Sequence, residues 1–346
     1  MEPTKLIIRG TNWIGDAVMT LPALAGLKSL LPEAQIDVLA INWSAPVYEY
    51  WPYVNRVIPY RPPRGLTPLG RITEAAKMIR GEGYEVAIAL PNSFEAALVF
   101  KLARIPKIYG YNTDFRSVIL TKAIPVPKDK NQRHHVYYYL NLIEKLFAKD
   151  ANHWKPDLSI KLSIPDSHLE RAREILTAQG WNGKDRLIGI NPGAAYGPAK
   201  CWPGEKYRQL ASSIVETFKD ATVVVFGTEQ DEPTGSMICE PIGKKGINLC
   251  GKTTLHEAIS VISCLSLMVT NDSGLMHVAA ACSIPLVALF GSTNHVATGP
   301  WSPKAKIIKH ELPCSPCMSR ECNKDFICML GITVEEVLEA CEELLS

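Results

Sequence analysis

The chain alternates short strands rich in valine and isoleucine with helical segments, and it does so twice. In the first half "KLIIRG", "QIDVLAI", "RVIPY" and "YEVAIAL" predict strands, and in the second half "RLIGINPG", "ATVVVFG", "LSLMVTND" and "IPLVALFG" do. Intervening segments such as "SFEAALVFKLARI" carry apolar residues at helical spacing. Such alternation is typical of parallel sheets covered by helices on both faces. The sequence therefore predicts an α/β protein with two doubly wound, Rossmann-like domains.

A proline-containing stretch without helical period, residues 154–167, separates the two halves. The length of 346 residues also suits two domains better than one core. We therefore predict a first domain over residues 1–165, a second over 166–330 and a final amphipathic helix within 331–346. Ligands of open α/β sheets bind where the strands end, so the two domains are expected to face a central cleft.

The formal net charge of +2 conceals an uneven distribution, because residues 51–150 carry 16 Lys and Arg against 8 Asp and Glu. A basic first half indicates an anionic partner (nucleic acid, a membrane surface or an acidic substrate), or else only a solvated face. The sequence shows neither a signal-peptide core near its start nor an apolar run of membrane-spanning length. These features predict a cytoplasmic protein without a transmembrane segment.

The stretch "RGTNWIGDAVMTLPAL", residues 9–24, reads as strand, glycine turn and helix. Gly10 and Gly15 have the spacing of a phosphate-binding P-loop, but Asp16 and Ala17 stand where such a loop needs lysine and then serine or threonine. A carboxylate at that position would repel a phosphate. The stretch is therefore not a P-loop, and Asp16 has either a chemical role or the role of a helix cap.

A second strand, turn and helix lies at "TNDSGLMHVAAAC". The exposed amides of Ser273, Gly274 and Leu275 are expected to form an anion site at the start of a helix, and Asp272 beside them suits hydrogen bonds from sugar hydroxyls. His277 follows one turn later. A plain N-cap and a core histidine are the alternatives at this motif.

Two further loops after strands complete a predicted nucleotide-sugar site. Lys200 is the single cation in the long loop "NPGAAYGPAKCWPGEKY", where it could neutralise a phosphate oxygen or simply lie at the surface. Glu229 follows the strand "TVVVFG" at a position suited to a ribose. The chain contains no D-x-D pair to hold a divalent metal on such a ligand. Amides and Lys200 would then carry the diphosphate charge, and no cofactor is required.

The motifs "GTNWIGDAVMTLPAL", "LPNSFEAAL", "NPGAAYGPAKCWP" and "TNDSGLMHVAAA" resemble those of the lipopolysaccharide heptosyltransferases of glycosyltransferase family 9. The resemblance implies a GT-B fold and an inverting enzyme of lipopolysaccharide biosynthesis. Such an enzyme transfers L-glycero-D-manno-heptose from ADP-heptose to the heptosyl-Kdo2-lipid A inner core. In a GT-B protein the final helix would cross back to the first domain. Cys201 occupies a position where family members often have arginine beside the lysine.

The same resemblance assigns roles to the predicted site residues. Asp16 would be the general base, because inversion needs one carboxylate to take the proton of the attacking acceptor hydroxyl. Lys200 would contact the diphosphate, Glu229 the ribose and Asp272 the heptose. The residues around the phosphates would be Ser273, Gly274 and His277.

The implied acceptor is an anionic lipid on the inner face of the inner membrane, which gives the basic first half a partner and suggests peripheral membrane association rather than nucleic-acid binding. Asn92 and Ser93 follow a strand end and could bond acceptor hydroxyls. The cations that could meet the acceptor are Arg61, Arg64, Arg71, Lys101, Arg104 and Arg116.

Four cysteines near the end have the spacing C-x2-C-x4-C-x5-C, at Cys314, Cys317, Cys322 and Cys328. They could hold a structural zinc ion, form pairs or simply pack, since the last two spacings are not those of a common zinc module. Without a secretion signal, the ten cysteines of the chain are not expected to form a disulfide framework.

Three other functions remain open on the sequence. A heptosyltransferase of different acceptor position or a nucleotide-sugar epimerase would share the predicted fold. A nucleotide-binding module without turnover would also share it, although such a module has no need of a base at Asp16.

Overall fold

The computed structural model describes residues 2–61, 65, 67–150 and 153–346. The chain divides into two compact units, residues 1–163 and 164–346. The division falls close to the boundary predicted at residue 165, and helix formation in the second unit begins at Asp166. None of the helices in the described part of the chain is both long and apolar enough to span a bilayer.

The first domain is a parallel sheet of six described strands with helices connecting them. Its strands are β1 (Lys5–Arg9), β2 (Gln35–Ile41), β3 (Arg56–Tyr60), β4 (Val86–Ala89), β5 (Lys107–Tyr111) and β6 (Lys122–Ile124). Its helices are α1 (Ile14–Leu30), α2 (Ala45–Glu49), α3 (Pro68–Ile79), α4 (Phe94–Leu102) and α5 (His135–Phe147). The strand order is β3-β2-β1-β4-β5-β6.

The second domain repeats this architecture. Its strands are β7 (Arg186–Asn191), β8 (Ala221–Val225), β9 (Gly246–Asn248), β10 (Leu267–Asn271), β11 (Leu286–Leu289) and β12 (Ala305–Ile308). Its helices are α6 (Asp166–Ala178), α7 (Gly204–Thr217), α8 (Glu232–Cys239), α9 (Leu255–Ile262), α10 (Gly274–Ala281), α11 (His295–Thr298), α12 (Ile327–Gly331) and α13 (Val334–Leu345). The strand order is β9-β8-β7-β10-β11-β12, again with parallel neighbours.

Both sheets have the strand order of a Rossmann-like fold, so the predicted α/β class is confirmed. All eight predicted strands are present. Their apolar residues are buried because helices cover a parallel sheet on both faces. The sequence did not indicate β5, β6, β9 and β12. Three of these lie at sheet edges, and all are short or of mixed polarity.

The final helix α13 packs within the second domain. Val337, Ala340 and Cys341 are buried in the same apolar core as Leu210 of α7 and Leu289 of β11. The prediction that this helix crosses back to the first domain is therefore corrected. Its apolar face is buried on its own domain's sheet, beside α7.

Candidate active site

The turn between β10 and α10 places polar side chains at the carboxyl end of the second sheet. Ser273 is the N-cap residue of α10, and its Oγ accepts a hydrogen bond from the amide of Met276 at 3.3 Å. Asn191 ends the neighbouring strand β7 and donates its Nδ2 to the same Oγ at 2.9 Å. The first amides of α10 have no acceptor within the helix, and Gly274 adds no side chain in front of them. This turn can therefore receive an anion.

Asp272 is buried beside these amides and pairs with Lys200. Lys200 Nζ lies 2.6 Å from Asp272 Oδ2, and Thr293 Oγ1 donates to the same oxygen at 2.6 Å. The two paired side chains are 14% and 5% exposed, so the ion pair is largely shielded from solvent. The sequence did not predict this pairing. It explains how a carboxylate can stand next to an anion site, because the ammonium group offsets its charge.

Asn271 fixes the loop that carries Lys200. Its Oδ1 accepts hydrogen bonds from the amide of Trp202 at 3.0 Å and from the hydroxyl of Tyr207 at 2.9 Å, and its Nδ2 donates to the carbonyl of Pro192 at 2.6 Å. Asn271 is fully buried. Sequence reasoning missed the structural roles of Asn191 and Asn271, although both asparagines end buried strands just before a loop.

Glu229 and His277 lie around this turn in different environments. Glu229 is exposed in the short 3-10 turn after β8. That turn packs against the loop that carries Lys200. Gly193 belongs to the loop and Asp231 to the turn, and a Cβ at Gly193 would lie 3.0 Å from Oδ1 of Asp231. His277 is 4% exposed in the first turn of α10. The second domain thus brings Lys200, Glu229 and the residues of the β10–α10 turn to one sheet edge.

In the first domain, buried side chains hold the turn between β1 and α1. Arg9 donates to the carbonyl of Gly10 at 2.7 Å and to Oδ1 of Asn12 at 2.9 Å. The hydroxyl of Tyr48 accepts a hydrogen bond from the amide of Thr11 at 3.0 Å. A Cβ at Gly10 would lie only 2.8 Å from the Tyr48 ring, which explains the glycine. Gly10 thus allows the turn to pack directly against the Tyr48 ring.

Asp16 lies in the first turn of α1 and is partly exposed. The N-cap residue of the helix is Trp13, whose side chain makes no capping hydrogen bond. Asp16 is thus not the N-cap, although a carboxylate in the first turn is stabilised by the helix dipole. Its charge also reaches Tyr139, whose pKa is raised well above its usual value, first by burial and then by Asp16.

Asn92 and Ser93 follow β4 and are engaged by the protein itself. The Oδ1 atom of Asn92 accepts a hydrogen bond from the Tyr138 hydroxyl at 2.8 Å, and its carbonyl accepts one from Thr113 at 2.7 Å. Ser93 is the exposed N-cap of α4, where its Oγ accepts the amide of Ala96. Both residues lie at the carboxyl edge of the first sheet, as predicted for a site.

Arg116 does not present its charge at the surface, which corrects its predicted contact with an acceptor. The residue is fully buried. Its guanidinium donates to the carbonyls of Tyr111, at 2.8 Å, and Pro91, and so ties together the loops after β4 and β5. Burial lowers the pKa of Arg116 to about 10. Arg116 has a structural role, because it supplies hydrogen-bond donors to backbone carbonyls that are buried.

The other predicted cations divide between the two edges of the first sheet. Arg61 follows β3 and Arg71 lies in the first turn of α3, so both exposed side chains belong to the carboxyl edge. Lys101 lies in the last turn of α4 and Arg104 just beyond it, shortly before β5 begins. A helix that follows a strand returns to the opposite edge, so these two are misplaced for the predicted site. Arg64 lies outside the described residues.

The four cysteines of the C-terminal motif line one small cavity of about 70 Å³. Cys328 is buried in α12, and burial raises its pKa, with the nearby Cys322 and Cys314 adding to the effect. Within the described ranges, no group of three or more His, Cys, Asp or Glu side chains is arranged to hold a metal ion. Binding of a structural zinc ion by these cysteines, one of the three alternatives, stays a prediction.

Comparison with known proteins identifies close relatives. The model of glycosyltransferase family 9 (heptosyltransferase) matches residues 72–327. The chain is 33% identical to lipooligosaccharide heptosyltransferase 2 of Haemophilus influenzae and 32% identical to lipopolysaccharide heptosyltransferase 2 of Salmonella typhimurium, each match covering 99% of both chains.

A solved structure agrees with these sequence matches. The ADP-heptose lps heptosyltransferase II of E. coli superposes with a TM-score of 0.82 at 31% identity, covering 99% of this chain and 98% of that one. The motif resemblance and the predicted GT-B fold are both confirmed.

Proposed function

The chain belongs to glycosyltransferase family 9, the heptosyltransferases, and on that premise we propose that it transfers L-glycero-D-manno-heptose from ADP-heptose to the heptosyl-Kdo2-lipid A inner core. The relatives with nearly full-length matches are named heptosyltransferase 2, which supports this donor and acceptor. The observation that carries the proposal is the buried Lys200–Asp272 pair beside the first turn of α10, where a diphosphate fits.

The second domain handles the leaving group in this proposal. When the bond between the anomeric carbon and the diphosphate breaks, negative charge grows on the phosphate oxygens. The amides that begin α10 and the ammonium of Lys200 stabilise that charge, and they do so more in the transition state than in the bound substrate. Glu229 contacts the ribose. Asp272, already holding Lys200, keeps Oδ1 for a heptose hydroxyl. Ser273, Gly274 and His277 surround the phosphates.

The first domain supplies the acceptor chemistry. The carboxylate of Asp16 takes the proton of the acceptor hydroxyl as its oxygen attacks the anomeric carbon, and the configuration inverts because attack and departure occur on opposite faces. Asn92, through its Nδ2, and Ser93 bind acceptor hydroxyls. ADP needs no strong acid to leave. Since Lys200 and backbone amides meet the diphosphate charge, we expect turnover to persist in EDTA.

The direct test is ADP release from ADP-heptose with heptosyl-Kdo2-lipid A as acceptor. A heptosyltransferase of this specificity releases ADP only with acceptor present, and mass spectrometry detects one added heptose. An epimerase would instead convert a nucleotide sugar without acceptor, and a non-catalytic module would bind ADP without releasing product. Transfer only to Kdo2-lipid A or to a more extended core would assign a different acceptor position.

We also propose peripheral association with an anionic membrane surface, where such an acceptor lies. Phe115 and Val118, in the loop after β5, are 91% and 84% exposed. Basic side chains follow in the next loop, with Lys130 lying 5.5 Å from the Tyr138 ring. Exposed apolar tips beside cations are typical of interfacial binding.

Vesicle flotation tests this association. We expect binding to phosphatidylglycerol vesicles but not to phosphatidylcholine vesicles, and weaker binding after Phe115→Ser with Val118→Ser. Leu330→Ser in the second domain, where the side chain is 49% exposed, is the matched control. Equal flotation of all three proteins would contradict the proposed surface.

A further inference from the structure

The segment from residue 313 to 326, here called the cysteine-rich segment, docks against the turn after β11. The amide of Met318 donates to the carbonyl of Ser292 at 2.7 Å, and Ser315 Oγ donates to the carbonyl of Gly291 at 2.6 Å. The next residue, Thr293, bonds Asp272. The cysteine-rich segment is therefore joined to the turn that holds the Lys200–Asp272 pair.

The same segment also bonds directly to the Lys200 loop. The amide of Ala199 donates to the carbonyl of Arg320 at 3.1 Å, and the Tyr196 hydroxyl donates to the carbonyl of Met318 at 2.8 Å. At Gly197, whose φ is +152°, a Cβ would lie 2.5 Å from the Arg320 carbonyl oxygen. Only glycine allows this close approach of the two backbones. The position of Arg320 is thus fixed by contacts with the residues just before Lys200.

The Arg320 side chain faces the same aromatic ring as Lys200. The guanidinium carbon of Arg320 lies 5.3 Å from the centroid of the Tyr196 ring, and Lys200 Nζ lies 4.8 Å from it. The two cationic groups are therefore at most about 10 Å apart, which a diphosphate with its attached sugar can span.

The two cations next to the Tyr196 ring differ in whether a carboxylate neutralises them. Lys200 is paired with Asp272, whereas Arg320 forms no ion pair with a carboxylate in the part of the chain that the structure describes. The exposed guanidinium makes a cation–π contact and, among the described residues, no side-chain hydrogen bond, so its donors are available to a ligand. Arg320 therefore supplies an unneutralised cation close to Lys200.

We propose that Arg320 is a second cation of the donor site, binding the diphosphate together with Lys200, and that the cysteine-rich segment presents it. This inference rests on the proposed use of ADP-heptose. The planar guanidinium can give two parallel hydrogen bonds to phosphate oxygens, which an ammonium cannot. Tyr196 positions the guanidinium, and the docking at Gly197 positions the segment.

Isothermal titration of the full chain with ADP, and competition by adenosine, tests the inference. Arg320→Ala is expected to weaken ADP binding about tenfold, the usual effect of losing a charged hydrogen bond, and to leave adenosine binding unchanged. Arg320→Lys should recover part of the loss. Lys324→Ala removes an exposed cation from the same segment and is the matched control.

Positioning is tested separately. Tyr196→Leu should weaken ADP binding by a few-fold, and Gly197→Ala should do so more strongly, while thermal melting checks that both variants fold. If Arg320→Ala binds ADP as the wild type does while Lys200→Ala binds it poorly, the inference is wrong and the proposed function stands. A wild-type protein that does not bind ADP would overturn the proposed function, and this inference with it.

Discussion

Two turns of this protein have the same local form and differ in how their aspartates are held. Both follow a central parallel strand and lead into a helix, with Asp16 in the first turn of α1 and Asp272 just before α10. Asp272 is 4% exposed and accepts hydrogen bonds from Lys200 and Thr293 on one oxygen. Asp16 is partly exposed in the first turn of its helix and lies near the buried Tyr139.

This difference supports the proposed roles, in which Asp272 holds Lys200 and Asp16 accepts a proton. Asp272 forms a shielded ion pair with Lys200, and losing either partner would leave a buried charge unpaired. Asp16 is more accessible, so a substrate hydroxyl can approach it. Sequence motif alone does not distinguish these roles, since both aspartates precede or begin a helix.

The largest expected effect comes from Asp16→Asn, which keeps the shape and removes the base. We expect kcat to fall about 10²–10⁴-fold, the usual contribution of a positioned base, with ADP affinity unchanged. Steady-state ADP release and titration with ADP measure the two quantities. A variant that keeps more than about a tenth of wild-type kcat would show that Asp16 is not the base.

Lys200→Met tests the role of the ion pair that Asp272 forms with Lys200. We expect kcat/KM for ADP-heptose to fall more than about tenfold, and the free energy of unfolding to fall by about 3 kcal/mol because Asp272 loses its partner. The double variant Lys200→Met with Asp272→Asn should recover the stability but not the activity. If the double variant recovered both stability and activity, the Lys200–Asp272 pair would have only a structural role.

Arg116→Met tests whether a buried cation of the first domain is structural. Removing the guanidinium leaves the carbonyls of Pro91 and Tyr111 without this donor, so we expect a loss of about 1–3 kcal/mol in chemical denaturation. ADP affinity should not change, since the proposed donor-binding residues belong to the second domain. A stable variant with weakened ADP binding would contradict this assignment.

A pH dependence of stability is expected from His135. Burial, with the charges of His134 and Lys130, lowers its pKa from 6.5 to about 4. The unfolded chain then binds more protons between those pH values, so stability is lost as pH falls from about 6.5 towards 4. His135→Phe should flatten the slope of unfolding free energy in this window. An unchanged slope would assign the dependence to another group.

The sequence alone determined the elements whose signals are local. The valine-rich and isoleucine-rich runs predicted the eight strands, and the alternation of strand and helix predicted two parallel sheets. The β10–α10 motif predicted the start of a helix near Ser273, and α10 begins at Gly274. These features were accessible because periodicity and capping depend on residues only a few positions apart.

Tertiary structure decided which charges meet and which are buried. Lys200 and Asp272 are 72 positions apart and Arg320 is further still from Tyr196, yet the parallel crossovers bring each pair together. The same packing buries Arg116 between two loops. An arginine or lysine in a loop looks alike in sequence whether it is buried, paired or free to bind a ligand. Only the packing of distant segments supplies the carbonyls, carboxylates and rings that distinguish these cases.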